Sequence, residues 1–155
     1  MGQFGALAHR EGRSEVSTPS RVLVNWVAER KFEAGREGRP TIMLDGDGND
    51  APSPPDGLLA SLASCVSVDV VDILAKRRTP VEKYSVEVLG ERADSIPRRF
   101  RHITLNIAIT GAGIERGPAE HAIELAVNRY CSVRDSLAED LPVVWNLSLN
   151  EPPAP

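Results

Sequence analysis

The feature that most constrains this chain is one apolar stretch at its centre, SPPDGLLASLASCVSVDVVDILAK. Leu58, Leu62, Cys65, Val66, Asp69, Ile73 and Leu74 recur at three- and four-residue steps, the period of an α-helix. Ala60, Ala63, Val68, Val70 and Val71 carry the apolar character onto the remaining faces. Pro54 and Pro55 suit a first helical turn, Asp56 adds an anion there, and Lys76, Arg77, Arg78 and Pro80 mark the end. A helix over 56–76 spans ~30 Å at 1.5 Å per residue, the diameter of a small domain. A helix apolar nearly all round is a buried central helix. One small sheet cannot cover every face of it, so the pattern predicts a dimer that buries it between two subunits.

The flanking text is strand-like. Val22, Val24 and Trp26 alternate with Leu23, Asn25 and Val27; Gly35, Gly38 and Pro40 mark a turn, and Thr41 to Leu44 reads as a second short strand. Residues 45–55 read as a loop with solvated acidic residues. Its DGDGND run is faintly like a calcium loop but lacks the glutamate at position twelve that would close one. After the helix, Tyr84 to Arg92 and Phe100 to Thr110 read as an antiparallel hairpin across the connection ADSIPRR, with Ile103, Leu105, Ile107 and Ile109 on one side. A second helix is predicted over 118–130, with a break near Tyr130 and Cys131. Val143 to Leu149 reads as a last strand. The order ββ-α-ββ-α-β indicates an α+β fold. The expected organisation is a loose arm over 1–20, one domain over 21–150 and a frayed tail over 151–155.

Composition excludes several classes. With 155 residues the prior is one domain. A formal net charge of −4 argues against a nucleic-acid binder that relies on a basic field. No uninterrupted apolar run approaches the roughly 20 residues of a membrane span. The start of the chain lacks the basic-then-apolar pattern of a signal peptide, so the expected location is the cytoplasm.

Cys65 and Cys131 are the whole thiol inventory. His9, His102 and His121 are scattered, and no cluster has the ligand spacing of a structural zinc site, so no metal or cofactor is expected. Two distant cysteines in a reducing compartment are either buried small hydrophobes or a redox pair. The redox reading needs a thiolate, and Cys65 stands about two turns into its helix, beyond the reach of the helix dipole. A cation must therefore come from elsewhere. Arg36 and Arg39, on the AGREGRP turn, are the candidates, with Asp56 or Asp69 to hold the guanidinium. Solvated turn residues and an ordinary helix-start aspartate are the plainer readings of the same side chains.

Two motifs then resemble one family. SPPDGLLASLASCVSVDVVDIL is similar to the helix motif of the OsmC/Ohr family, the osmotically inducible and organic hydroperoxide resistance proteins, and NRYCSVRDSLA is similar to its second cysteine motif. FEAGREGRPTIMLDG resembles the N-terminal hairpin of that family, and VEKYSVEVLGERADSIPRRFRHITLNIAITG its central strand pair. The likeness runs from about Val22 to Leu149 and is greatest to the OsmC-like branch.

The resemblance implies an interlocked homodimer with antiparallel sheets around the long helix and active sites at the subunit interface. It implies Cys65 as the peroxidatic thiol, Cys131 as the resolving one, and Arg36, or else Arg39, as the activating cation. The substrates implied are organic hydroperoxides and also hydrogen peroxide. The reductant implied is a dithiol or a lipoylated protein, with no cofactor. The sequence departs from the family at the carboxylate: Pro55 and Asp56 stand where the family has a glutamate beside the helix entry. A non-catalytic module that binds a small apolar or thiol ligand in the same pocket is the alternative reading. An inert structural dimer is a third.

Overall fold

A computed structural model describes residues 18–151. Most of the expected arm and all but the first residue of the expected tail lie outside the described residues, as does His9. The element order is β1 (Leu23–Ala28), β2 (Lys31–Gly35), β3 (Ile42–Asp45), α1 (Pro54–Lys76), β4 (Lys83–Arg92), β5 (Phe100–Thr110), α2 (Arg116–Leu125), a π-helical segment (Ala126–Tyr130), α3 (Ser132–Asp135) and β6 (Val143–Leu149). The fold is α+β, with two three-stranded sheets, β1-β2-β3 and β4-β5-β6, about the long helix α1.

Three details differ from the sequence reading. First, the N-terminal strands number three. β2 was hidden because only Glu29 and Arg30 separate it from β1, and the tight reversal requires Glu29 at φ 47°. Second, β6 runs parallel to β5, from Ile103 opposite Val143 to Ile109 opposite Leu149, so the second sheet is mixed. A parallel pair needs a crossover, and α2, the π segment and α3 supply it. Third, Asp45 is buried rather than solvated. Its two carboxylate oxygens accept the N–H groups of Asp47 (3.0 Å), Asn49 (3.2 Å) and Asp50 (3.1 Å), which folds the DGDGND loop around its side chain. Those bonds hold the Asp45 carboxyl below the usual carboxylate range, the one from Asp47 most of all.

α1 is 23 residues long, with a mean hydropathy of 1.9 over its most apolar window. By length and composition it could cross a membrane, which corrects the reading that nothing in the chain approaches a span. Here it serves as a core helix. Leu62, Val66, Val70 and Leu74, spaced by four, are fully buried. They form one cluster with Ile103, Leu105, Ile107 and Ile109 of β5 and with Ala119, Ala122, Ile123 and Val127 of the crossover. Each fully buried Leu or Ile contributes roughly 1.5–3 kcal/mol relative to leaving it exposed.

One face of α1 is thus covered by its own chain. Leu58, Val68 and Val71 on the other side are exposed, Val68 at 62%. The same holds for β1–β3, where Val24, Trp26 (67%) and Ile42 stand in solvent.

Ser53 caps α1. Its hydroxyl accepts the Asp56 N–H at 3.4 Å, and Asp56 Oδ2 accepts the Ser53 N–H at 2.9 Å, a reciprocal capping box.

Candidate active site

Cys65 faces the crossover from the middle of α1, packed against the core and half-buried. Cys131 reaches it from the far side of the chain. The π-helical segment ends at Cys131, whose N–H donates to Ala126 O at 3.0 Å. Cys131 is also the N-cap of α3, and its Sγ accepts the Arg134 N–H at 3.3 Å. π-helical turns are uncommon and are often found at functional sites. This one ends the second helix at the break expected near Tyr130 and Cys131, and so fixes the direction of the sulfur.

Both thiols are free and within hydrogen-bonding reach of each other. Burial, and next the hydrogen bond to Cys65, pushes the Cys131 thiol up to about 11. Cys131 is 3% exposed. At neutral pH it is therefore a protonated thiol beside Cys65. Two neighbouring sulfurs from distant motifs form a dithiol, the arrangement that disulfide chemistry requires.

The other predicted site residues do not join them within this chain. Arg36 and Arg39 sit on the β2–β3 turn, closed by the Arg39 N–H on Arg36 O at 3.1 Å, with Gly38 at φ 69°. They border a shallow recess of about 180 Å³ with Leu23 and Thr41, and neither cysteine lines it. The Asp56 carboxylate is engaged by Ser53, whose hydroxyl donates to it at 2.6 Å and holds it below the usual range. Asp56 is thus a helix-start residue here, as its plainer reading had it. Asp69 is half-buried on α1.

The structure adds residues that the sequence reading passed over. A cavity of about 420 Å³ at the start of α1 has Leu58, Phe100 and Leu137 in its walls and Arg92 and Arg98 at its rim. Arg92 Nε donates to Arg98 O at 2.8 Å, and its guanidinium lies 5.8 Å from the Phe100 ring centre. Arg99 grips Asp140 with both terminal nitrogens, at 3.4 and 3.2 Å, tying the β4–β5 connection to the approach to β6. A second cavity, of about 380 Å³, opens beside Cys131 and shares Leu137 with the first. The doubled arginine in ADSIPRR and the charges of NRYCSVRDS were the signals available, but read as loop and helix surface they named no site.

A long core helix bearing one cysteine, a crossover bearing a second, and two small sheets define a two-cysteine α+β protein of the OsmC type. The chain belongs to the OsmC-like protein family, whose model matches residues 46–146. It is 35% identical over 111 residues to Protein YhfA of Escherichia coli K12, covering 71% of this chain and 83% of that one. In fold it is similar to the OsmC-like protein of Mycoplasma pneumoniae, with a TM-score of 0.74 at 18% identity over 86% of this chain and 99% of that one. It is also similar to the organic hydroperoxide resistance protein OhrB of Bacillus subtilis, with a TM-score of 0.57 at 13% identity over 84% and 98% of the two chains. An organic hydroperoxide resistance protein thus shares this fold.

Proposed function

We propose that this chain is a thiol-dependent peroxidase that reduces organic hydroperoxides. The observation that carries the reading is the neighbouring pair of free thiols, with Cys131 held protonated beside Cys65. The Cys65 thiolate attacks the O–O bond of ROOH, releasing ROH and leaving Cys65 as a sulfenic acid. The Cys131 sulfur then displaces water from that sulfenic acid, and the Cys65–Cys131 disulfide forms. A thiol reductant, a dithiol or a lipoylated protein by resemblance, returns both cysteines to thiols. No organic cofactor or metal is needed for any step. The apolar walls of the cavity at Leu58, Phe100 and Leu137 favour alkyl hydroperoxides over hydrogen peroxide, since each buried methylene contributes about 0.8 kcal/mol.

The proposed working form is a homodimer in a reducing compartment such as the cytoplasm. A second copy laid on the open face of α1 would cover Val68 and Val71, and would give Val24, Trp26 and Ile42 a surface to pack on. The β2–β3 turn, with Arg36 and Arg39, is the part of one copy free to approach Cys65 of the other.

Addition of one equivalent of cumene hydroperoxide to the reduced protein, followed by thiol counting, tests the reading. Both thiols disappear, Cys65→Ser abolishes the loss, and Cys131→Ser leaves a trappable sulfenic acid. Thiols that persist through excess peroxide would sink the peroxidase. They would favour the small-ligand binding module, a reading supported by the separation of Arg36, Arg39 and Asp56 from Cys65 within one chain.

A further inference from the structure

The buried stripe of the crossover points to one residue at its end, and the structure places another there. Ala119, Ala122, Ile123, Ala126 and Val127 are each at most 1% exposed and follow α-helical spacing. At about 100° per residue, the next inward place in an α register falls on Tyr130, and Cys131 falls roughly 100° away from it. The structure has the reverse. Cys131 is buried beside Cys65, and Tyr130 is 50% exposed, with its ring centre 5.8 Å from the Arg129 guanidinium. The cause is the π-helical turn Ala126–Tyr130, which adds one residue and closes on the bond from the Cys131 N–H to Ala126 O. The π register thus seats a small thiol inward and leaves a large aromatic ring in solvent, although burial of that ring favours the other register.

Something must hold the segment against that preference, and one side chain spans the parts involved. Glu124, in the last turn of α2, accepts a hydrogen bond from Asn128 Nδ2 of the π segment at 2.7 Å through Oε1. Through Oε2 it accepts one from Trp145 Nε1 of β6 at 3.3 Å. Trp145 itself packs against the core. One carboxylate therefore pins the π turn, on its outer side, to the sheet. We infer that Glu124 is a positioning residue for Cys131: its two hydrogen bonds hold residues 126–130 in the π register, against an α register that brings Tyr130 inward and turns Cys131 away from Cys65. The inference rests on the peroxidase reading for the sulfenic acid that Cys131 meets, and it names what brings the two sulfurs together.

Glu124 touches no reacting atom, and its effect falls on the second step of the cycle. In that step the Cys131 sulfur bonds to Cys65 Sγ, the S–O bond of the sulfenic acid breaks, and the hydroxyl leaves as water with the proton of the Cys131 thiol. A Cys131 turned away leaves the sulfenic acid standing. A second hydroperoxide then takes it to sulfinic acid and is itself reduced to the alcohol. The partition of Cys65 between the disulfide and the unclosed sulfenic acid is therefore the quantity that reports the register.

The test adds one equivalent of cumene hydroperoxide to the reduced full chain in the presence of dimedone, and intact mass gives the ratio of disulfide to dimedone adduct. Glu124→Gln keeps the size of the side chain but only one of the two acceptor oxygens. It is expected to lower the ratio about tenfold, roughly the worth of one hydrogen bond to a charged group. Trp145→Phe loses only the Nε1–H bond and is expected to lower it less; if Glu124→Gln does not fold, this variant decides. Tyr130→Ser, added to either, is expected to restore the ratio, because the α register then gains no buried ring. A general loosening of the fold is not restored in that way. A parallel series with diamide, which takes two electrons and two protons from the dithiol and becomes a hydrazine, reads closure without a peroxide step. A ratio unchanged by the first variants, or a loss that Tyr130→Ser does not restore, overturns the inference and leaves the peroxidase reading standing. Peroxide that consumes no thiol in the parent, while diamide closure slows in Glu124→Gln and recovers with Tyr130→Ser, overturns that reading and leaves the positioning of Cys131 by Glu124 standing.

Discussion

The two sheets have the same number of strands and opposite fates. In β4-β5-β6 the inward side chains of β5 are sealed beneath α1 and the crossover, and Ile103 and Leu105 have no exposure at all. The outward side is polar and self-satisfied, with Asn146 donating to Asn106 at 2.8 Å and Asn106 to Glu87 at 2.9 Å, one row across three strands. In β1-β2-β3 the apolar residues have no such cover, and Trp26 stands two-thirds exposed. Alternation makes a strand, but only a facing surface makes a core. The second sheet finds that surface within its own chain, while the first carries an apolar face written for something else.

This contrast can be broken most sharply at Leu105. Leu105→Ala should cost about 2–5 kcal/mol, seen as a lower midpoint in urea, because a sealed site leaves a cavity. Trp26→Ser combined with Ile42→Ser should instead leave far-ultraviolet circular dichroism unchanged and raise the dimer dissociation constant at least tenfold in sedimentation, the proposed dimer being the cover they lack. Equal urea shifts from both changes would erase the distinction between the sheets.

The next effect is about 2.7 kcal/mol and depends on pH. The Cys131 thiol ionises at about 11 in the fold, against an ordinary value of 9.0. Between those values the unfolded chain loses a proton that the folded chain keeps, so the contribution is full below pH 9 and fades as pH rises toward 11. Urea midpoints of the parent should fall more steeply over that window than those of Cys131→Ala. Smaller again is Ser53→Ala, expected to cost about 1 kcal/mol by removing the cap of α1, measured by thermal melting. Smallest is Tyr84→Phe. The buried phenol oxygen has no hydrogen-bond partner among the described residues, so losing it should be neutral or raise stability by up to about 1 kcal/mol.

The fold was legible where periodicity ran long. The helix pattern through Leu62, Val66, Val70 and Leu74 and the alternation of Ile103 to Ile109 each repeat often enough to outweigh local noise. β2 was lost because five residues behind a two-residue reversal show almost no period. The direction of β6 was not legible either, since Val143 to Leu149 alternates identically whichever way it pairs. At the site, the meeting of Cys65 and Cys131 came from resemblance, as nothing in spacing alone brings such distant positions together. Arg36, Arg39 and Asp56 were named by chemistry that any arginine or aspartate near a turn satisfies. Within one chain they stand apart from the thiols, and the interface site that the resemblance implies for Arg36 draws on a second copy.

The parallel pairing of β6 with β5 also sets an order of events as the chain folds. β4 and β5 are a hairpin and can close early, but β6 can register only after the whole crossover has been laid over the helix. That crossover carries Cys131 and seats it at the π-helical end. The two thiols therefore meet only through the non-local packing of that crossover on α1, never through contacts between neighbours in sequence.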